Sequence, residues 1–265
     1  MGVLVAPLGL AATTRKAKVG TLVSSTGFRN PALLARIADT VDETSGGRLI
    51  LVLGAGWYEP EYRAYGFPLE KPVGHFEEAL KIIRPLLGEG QADFSGEYHE
   101  AFECELRARS AREGGAPILI GALAHAPRML RLTTEHADMW NAWLAFGRSH
   151  PDQIPRLRAA VDAACEKAGR DPSTLGRTAG MLVDVGTIMD GRCGTKSPVW
   201  VPAGELFGPL QPLEGSPEEV AEGLLGFARE GISHLQVWLA PNTLAGVKAL
   251  APVLELLDGN ARSAA

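Results

Sequence analysis

Two glycines and two carboxylates follow an apolar run near residue 50, and their spacing could support chemistry on a bound ligand. Gly54 and Gly56 flank Ala55, and a residue without a Cβ lets the backbone turn sharply and approach a ligand closely. Glu59 and Glu61 follow within reach of this turn and are candidate general acids. Glu59 also stands where a dinucleotide fingerprint needs its third glycine. The segment predicts a ligand site of another kind; the alternatives are a turn without a ligand and two solvated carboxylates in a first helical turn.

The residues before these glycines predict the element that positions them. Leu49 to Leu53 is an unbroken apolar run, which is typical of a strand buried on both faces in a parallel sheet. Cofactors and substrates of α/β folds bind at the carboxyl ends of such strands. We therefore expect the glycine turn at the ligand-binding edge of a parallel sheet.

A second strand end offers groups suited to an anion. Gly121, Ala122 and Leu123 lie between an apolar strand and a helix that begins near Pro127. The free N–H groups and the dipole of a helix N-terminus favour phosphate, and Arg128 could add a charge-assisted hydrogen bond. The alternative is an ordinary turn, with Arg128 on a solvated face.

An apolar strand, a loop and an amphipathic helix recur along the chain, which implies parallel βαβ units. The six predicted strands cover residues 18–24, 49–53, 117–121, 138–143, 181–188 and 234–240. Residues 94–109 are expected to form a hairpin, and residues 190–215, rich in glycine and proline, an irregular loop. The length suits a (β/α)8 barrel, which takes about 250 residues, but the predicted strands are fewer than its eight.

Composition and charge exclude several classes of protein. Of 265 residues 46% are apolar, the net charge is −5, and the basic residues form no dominant patch, which argues against a nucleic-acid binder. Cys104, Cys165 and Cys193 have no CxxC spacing, which predicts reduced thiols and no metal site. No apolar run approaches the ~18 residues of a membrane span. Met1 to Leu10 lacks the preceding basic residues of a signal peptide, so we expect a buried element in a cytoplasmic protein.

Four segments of the chain resemble the luciferase-like monooxygenase superfamily, and more narrowly its flavin- or deazaflavin-dependent oxidoreductases. They are GTLVSSTGFRNPALLARIADTVDETSGGRLILVLGAGWYEPEYRAYG, HFEEALKIIRPLL, PILIGALAHAPRMLRLTTEHADMWNAW and SHLQVWLAP. The resemblance covers nearly the whole chain from about Lys18. Its most specific part is the separation between the GTLV strand and the GAGW strand.

The resemblance implies a single barrel domain over residues 1–265 that binds FMN or the deazaflavin coenzyme F-420. It implies an oxidoreductase that uses the cofactor for hydride transfer to, or monooxygenation of, a small organic substrate. It also implies a homodimer. The deazaflavin is the favoured cofactor, because the GAGW and PILIG segments look most like the relatives that use it.

The family's usual first strand, first helix and second strand do not precede the segment matching Met1 to Lys18. A wrong start, a partner subunit that closes the barrel and a decayed fragment would each account for this. The alternative function is therefore a non-catalytic remnant or a partner subunit of a complete paralogue. No histidine matches the one that the family often carries near the reacting ring, so the catalytic acid or base stays unknown, with Glu59 and Glu61 as weak candidates.

The resemblance also implies which residues contact the cofactor. A non-prolyl cis peptide is implied between Leu22 and Val23, with Ser24 or Ser25 donating a hydrogen bond to the ring or its side chain. Trp57 would form a wall of the pocket. The complete implied cofactor site consists of Thr21, Leu22, Val23, Ser24, Ser25, Gly54, Ala55, Gly56, Trp57, Gly121, Ala122, Leu123, Arg128 and Asn141.

Overall fold

Parallel strands alternate with helices in both structural units of the chain. The structure is a computed structural model that describes residues 2–107, 109–190 and 210–263. The first unit contains residues 2–121 and 126–140, and the second contains residues 122–125 and 141–263. The alternation confirms the predicted α/β class. The single-domain organisation expected for residues 1–265 stays a prediction.

Strand β3 is the centre of the first unit. The helices of this unit are α1 (Gly2–Thr13), α2 (Pro31–Ser45), α3 (Glu59–Tyr65), α4 (Pro72–Gly88) and α5 (Pro127–His136). Its strands are β1 (Val19–Gly20), β2 (Ser24–Ser25), β3 (Leu49–Gly54), β4 (Gln91–Ser95), β5 (Glu100–Glu105) and β6 (Ile118–Gly121). β1, β2 and β6 all pair with β3 in parallel. β4 pairs with β5 in antiparallel fashion, which confirms the predicted hairpin.

The register of these strands brings three carboxyl ends to one edge. Ser25 lies opposite Gly54, and Leu53 lies opposite Ile120. Because the strands are parallel, the residues that follow β2, β3 and β6 leave the sheet at the same side. This confirms the expected common edge for the glycine turn and Gly121.

Asn30 followed by Pro31 predicts the start of a helix, and Gly46-Gly47 predicts its end; α2 begins and ends at these residues. The Asn30 side chain accepts hydrogen bonds from the first free backbone N–H groups of the helix, and Pro31 occupies the first turn. Gly46 ends the helix in the left-handed conformation, with φ +67°. Within the helix, Leu34, Ala38 and other residues of one face are buried.

Helix α1 is buried on one face only. Leu4 and Ala11 are buried, whereas Val5 and Leu10 are exposed, so the buried element expected over residues 1–10 is confirmed in part. The Arg48 guanidinium donates hydrogen bonds to the carbonyls of Ala11 and other residues near the end of this helix. Among the described residues, no helix combines the length and the apolar character needed to cross a bilayer.

The second unit is built on strands β8 and β9. Strand β7 (Met139–Trp143) begins in the first unit and ends in this one. The further elements are α6 (Ile154–Lys167), β8 (Gly176–Asp184), α7 (Gly186–Asp190), α8 (Pro217–Arg229), β9 (His234–Ala240), α9 (Leu244–Ala249) and α10 (Ala251–Ser263). β8 pairs with β9 in parallel over seven residue pairs, and Leu144 after β7 donates a backbone hydrogen bond to Gly180 of β8. Most of the irregular loop expected over 190–215, including Cys193, lies outside the described residues.

Candidate functional site

The interruption between β1 and β2 carries two exposed apolar side chains, one of which lies beside a glycine. Leu22 and Val23 are 49% and 47% exposed. The Val23 Cγ1 atom is 3.2 Å from the position that a Cβ on Gly54 would take. The peptide bond between Leu22 and Val23 is cis, as the resemblance implied.

The hydroxyl groups around this bond have different exposures. Thr21 and Ser24 are buried, and their hydroxyl oxygens are 2.8 Å apart. Ser24 is completely buried, so its hydroxyl stabilises the turn through its hydrogen bond with Thr21. Ser25 is half-buried and is the hydroxyl nearer to solvent.

A tyrosine that the sequence analysis did not select joins Ser25 to the glycine turn. The Tyr62 Oη atom is 2.5 Å from Ser25 Oγ and 3.1 Å from the carbonyl oxygen of Ala55. Gly56 has φ +84°, and a Cβ there would lie 1.9 Å from Tyr62 Oη. Gly27 is also crowded by the same ring. Both glycines are therefore required by the position of the Tyr62 hydroxyl.

Burial raises the pKa of Tyr62, its hydrogen bond with Ser25 acts in the opposite direction, and the Glu61 charge adds to the rise. The phenol therefore keeps its proton at neutral pH. Phe28 packs on the ring with a centroid separation of 4.3 Å. Tyr62 is thus a fixed, neutral polar group behind the strand ends.

A cavity of about 530 Å³ lies next to Tyr62 and is lined by residues of α2, α3 and α4 and of the loops beside them. Its walls include Phe28, Ala55, Tyr62, Phe67, His75 and His99. The His99 Nε2 atom is buried and has no hydrogen-bond partner among the described residues. Burial, followed by the neighbouring His75, lowers the pKa of His99. The cavity therefore combines aromatic walls with imidazole groups in the first unit.

The carboxylate of Glu78 fixes the loop that carries His99. It accepts hydrogen bonds from the backbone N–H groups of Glu97, Tyr98 and His99 at 2.8–2.9 Å. Burial alone would raise the pKa of Glu78, but these N–H groups hold it below the ordinary value. Glu78 is therefore a structural anion rather than a free acid.

The aromatic residue and the carboxylates after the glycine turn are exposed. Trp57 is 54% exposed and contacts Tyr58 with a centroid separation of 5.4 Å. Glu59 and Glu61 lie on the exposed first turn of α3. The structure thus brings Trp57 to the strand ends, while the two carboxylates have the solvated positions of the alternative interpretation.

Two of the residues expected to bind phosphate, Gly121 and Arg128, belong to the first unit. Gly121 is exposed, and α5 begins without a side-chain cap. The Arg128 guanidinium is ion-paired with Glu77 at 2.8 Å, and Glu77 also pairs with Arg131 at 2.9 Å. An anion at Arg128 would share this guanidinium with Glu77.

In the second unit, Ala122 is buried and Leu123 is 38% exposed. Leu123 lines a cavity of about 250 Å³ together with His125, Gln153, Arg156 and neighbouring residues. Asn141 is buried, and its amide nitrogen donates to Thr178 Oγ1 at 2.8 Å and to Gln236 Oε1 at 2.5 Å. Asn141 therefore belongs to a polar network between β7, β8 and β9.

Tyr62, His75 and His99 lie at the candidate site but were not predicted from the sequence. The only sequence signal for Tyr62 is an aromatic residue between charged neighbours in a short helix, and its partner Ser25 is 37 residues away. Among the described residues, no group of three or more His, Cys, Asp or Glu side chains could hold a metal ion. The site thus combines apolar, aromatic, hydroxyl and backbone groups with the imidazoles of His75 and His99.

Comparison with known proteins agrees with this geometry. A family model described as luciferase-like monooxygenase matches residues 4–187. Pyrimidine monooxygenase RutA of Cronobacter sakazakii is 30% identical over 168 residues, which cover 62% of this chain and 48% of that protein. The 5,10-methylenetetrahydromethanopterin reductase of Archaeoglobus fulgidus is 34% identical over 161 residues, covering 61% and 46%. The chain spans about half the length of these relatives.

The fold also matches a solved structure, the coenzyme F420 dependent tetrahydromethanopterin reductase of Methanopyrus kandleri. The TM-score is 0.73 at 18% identity, covering 96% of this chain and 86% of that one. This likeness confirms the predicted fold, a barrel of the luciferase-like type with six of its parallel strands when β1 and β2 are counted as one interrupted strand. On the family match and this fold, the chain belongs to the luciferase-like monooxygenase family.

Proposed function

We propose that the chain binds a flavin-type cofactor, F-420 or FMN, at the carboxyl ends of β2 and β3 and acts as an oxidoreductase on a small organic substrate. The observation that carries this proposal is the exposed apolar surface of Leu22 and Val23, where Val23 lies against Gly54. Covering such surface is favourable by about 25 cal/mol per Å², so a planar ring system gains affinity there. The glycine allows the ring to approach the backbone.

The residues around this surface fit a planar ring with polar edges. Trp57 offers a further exposed aromatic face, and the Ser25 hydroxyl and the Ala55 and Gly56 backbone offer polar groups beside the apolar surface. Cofactor sites combine mainly apolar walls with a few fixed polar groups. Thr21 and Ser24 would support this site from behind, because their hydroxyls bond to each other.

The choice between the two cofactors rests on the relatives. F-420 is supported by the relative that is a reductase and by the solved structure named as coenzyme F420 dependent. The match to a monooxygenase supports FMN as the alternative. When bound, F-420 supplies hydride transfer, whereas reduced FMN can also activate dioxygen.

The chain's own residues would bind the cofactor, orient it and exclude water. Tyr62 holds its proton and supports Ser25 through their hydrogen bond. Glu59 and Glu61 are the exposed carboxylates nearest in sequence to the turn and remain proposed acids. Gly121 and Arg128 in the first unit, and Ala122, Leu123 and Asn141 in the second, remain proposed phosphate or ring-edge contacts.

A second candidate function is that of a non-catalytic partner subunit. It is favoured by the coverage, since the chain spans about half the length of the relatives it matches. In this case a complete paralogue would carry the catalytic groups.

Cofactor titration separates the two functions. The purified chain is titrated with FMN and with F-420, and binding is followed by visible absorbance and fluorescence. Trp57→Ala should weaken binding of the better cofactor about three- to tenfold, because an aromatic contact with a ring is worth about 0.5–1.5 kcal/mol. Phe102→Ala is the matched control, since Phe102 is 66% exposed on the β4–β5 hairpin.

Binding that weakens in Trp57→Ala and not in Phe102→Ala would support the cofactor site at the glycine turn. A folded wild-type chain that binds neither cofactor would overturn the proposal and leave the partner-subunit function. Equal weakening in the two variants would place the cofactor away from Trp57.

A further inference from the structure

The Ser25 hydroxyl belongs to a short chain of hydrogen bonds whose direction can be worked out from the groups involved. The chain runs between Ser25 Oγ, Tyr62 Oη and the carbonyl oxygen of Ala55, with separations of 2.5 Å and 3.1 Å. The backbone N–H of Gly27 also points to Ser25 Oγ at 3.3 Å. All four groups lie in the first unit.

Each hydroxyl has one proton, whereas a carbonyl oxygen can only accept. Tyr62 must therefore give its proton to the Ala55 carbonyl in order to make that bond. The shorter bond then has to be donated by Ser25 to Tyr62 Oη. Since Gly27 N–H donates to one lone pair of Ser25 Oγ, the serine hydroxyl retains one lone pair and no proton for a ligand.

The surroundings hold this arrangement in place. A Cβ on Gly56 or on Gly27 would collide with Tyr62 Oη, so the two glycines leave the space that the phenol tip occupies. Phe28 packs on the ring with a centroid separation of 4.3 Å. Burial and the Glu61 charge raise the pKa of Tyr62, so the phenol does not lose its proton near neutral pH and become an acceptor only. The direction of these hydrogen bonds therefore stays the same near neutral pH.

We propose that Tyr62 is a positioning residue that fixes the Ser25 hydroxyl as a hydrogen-bond acceptor, so that the ligand group recognised at Ser25 is an N–H or O–H donor. This differs from the donor role that the resemblance implied for Ser25. The identity of the ligand rests on the proposed function, whereas the polarity of Ser25 does not. In a flavin-type cofactor, the donor is either the imide N–H of the ring or a hydroxyl of the side chain.

The ligand-free protein tests the polarity by itself. Tyrosine ionisation is followed by absorbance near 295 nm in wild type and in Ser25→Ala, with Tyr62 assigned by comparison with Tyr62→Phe. If Ser25 donates to Tyr62, its loss removes a bond that stabilises the phenolate, and the pKa of Tyr62 rises. A fall in this pKa would show that Tyr62 donates to Ser25 and would overturn the proposal, as would no change.

Binding tests the consequence for the ligand. In Tyr62→Phe, the Ser25 hydroxyl loses Tyr62 Oη as the acceptor of its proton. The free serine proton then competes with the donor group of the ligand, so binding of FMN or F-420 should weaken about three- to tenfold. Tyr65→Phe, in the same helix but 67% exposed, should change binding less than twofold. If Ser25 instead donated to the ligand, Tyr62→Phe would free its proton and binding would tighten or stay unchanged.

Two analogues identify the source of the donor. The ratio of dissociation constants between Ser25→Ala and wild type is measured for FMN, for N3-methyl FMN and for lumiflavin. If the ratio falls to one with N3-methyl FMN, the donor is the ring N–H. If it falls to one with lumiflavin, the donor is a hydroxyl of the side chain. A ratio that persists in both analogues would contradict the acceptor role. If neither FMN nor F-420 binds wild type, the proposed function fails while the phenol titration still decides the polarity.

Discussion

Gly56 and Gly66 have nearly the same backbone conformation but different surroundings. Their φ angles are +84° and +73°, in the left-handed region that disfavours side chains. A Cβ on Gly66 would meet nothing within 4 Å, whereas a Cβ on Gly56 would meet Tyr62 Oη at 1.9 Å and Ser25 Oγ at 2.6 Å. The pair therefore separates the cost of the conformation from the cost of crowding.

We expect Gly66→Ala to lower the free energy of unfolding by about 1–2 kcal/mol, the cost of the left-handed conformation. Gly56→Ala should cost about 1–3 kcal/mol more, because it displaces the Tyr62 hydroxyl as well. Urea denaturation of the two variants measures the difference. Equal losses would mean that Tyr62 moves aside without cost, in contradiction to its packing.

The glycine turn could be predicted from the sequence because glycine itself is the signal. The solvated positions of Glu59 and Glu61 match the alternative that the sequence offered, whereas the exposure of Trp57 could not be predicted, because it depends on how the chain leaves β3. The bond between Ser25 and Tyr62 was also out of reach, because it joins residues 37 positions apart whose types carry no shared pattern. The sequence therefore predicted the local turn but not the hydrogen bond between residues distant in the chain.

Among the elements, α2 and β3 are joined through the buried carboxylate of Asp42. It accepts hydrogen bonds from the backbone N–H of Leu49 at 3.0 Å and from Ser110 Oγ at 2.9 Å, and it lies 3.6 Å from the Arg112 guanidinium. Asp42 is completely buried, and these partners satisfy its oxygens. The carboxylate therefore fixes the start of the strand whose other end carries the glycine turn.

Asp42→Asn should lower the free energy of unfolding by about 2–4 kcal/mol, because it removes the negative partner of a partly buried arginine and replaces an acceptor by a donor. Glu43→Gln is the control, since Glu43 is the next residue and is exposed, and it should change stability by less than about 0.5 kcal/mol. Denaturant unfolding gives both values. A loss in Asp42→Asn no larger than in the control would contradict the role assigned to Asp42.

The start of α2 was predictable because its cap residues act locally, and the capping box at Ser216 and Glu219 opens α8 for the same reason. The first strand was predicted as continuous over residues 18–24, which is wrong, because it is divided into β1 and β2. The Thr21 and Ser24 hydroxyls bond to each other across the interruption, and such local side-chain bonds compete with a strand ladder. The apolar pattern alone does not show this competition.

For the whole molecule, the order of strands and helices followed from the sequence because each strand lies within its own βα repeat. The substrate did not, because the shape of an irregular loop such as residues 190–215 cannot be derived from its glycine and proline content. The curated relatives differ in their substrates: one is named as a pyrimidine monooxygenase and another as a methylenetetrahydromethanopterin reductase. Similarity to both therefore does not fix the substrate of this chain.

The stability of the whole chain should fall with acid because two histidines are held neutral. Burial is the main cause that lowers the pKa of His136 and of His99 below the ordinary value of 6.5, although neighbouring carboxylates act in the opposite direction. Between the folded and unfolded pKa values the unfolded chain binds more protons, so this stability is fully present above about pH 7 and is lost as the pH falls from 6.5 towards the lower, folded pKa values. Each histidine contributes a slope of at most about 1.4 kcal/mol per pH unit.

The interval from pH 7.5 to 5.5 isolates these histidines. Glu77 and Glu78, whose pKa values are lowered from 4.5, lose their contributions only at lower pH. The variant His99→Gln/His136→Gln should therefore flatten the dependence of unfolding free energy on pH in this interval, whereas His125→Gln, at an exposed position, should keep it. Urea unfolding at five pH values measures the slopes, and a wild-type slope in the double variant would show that other groups take up the protons on unfolding.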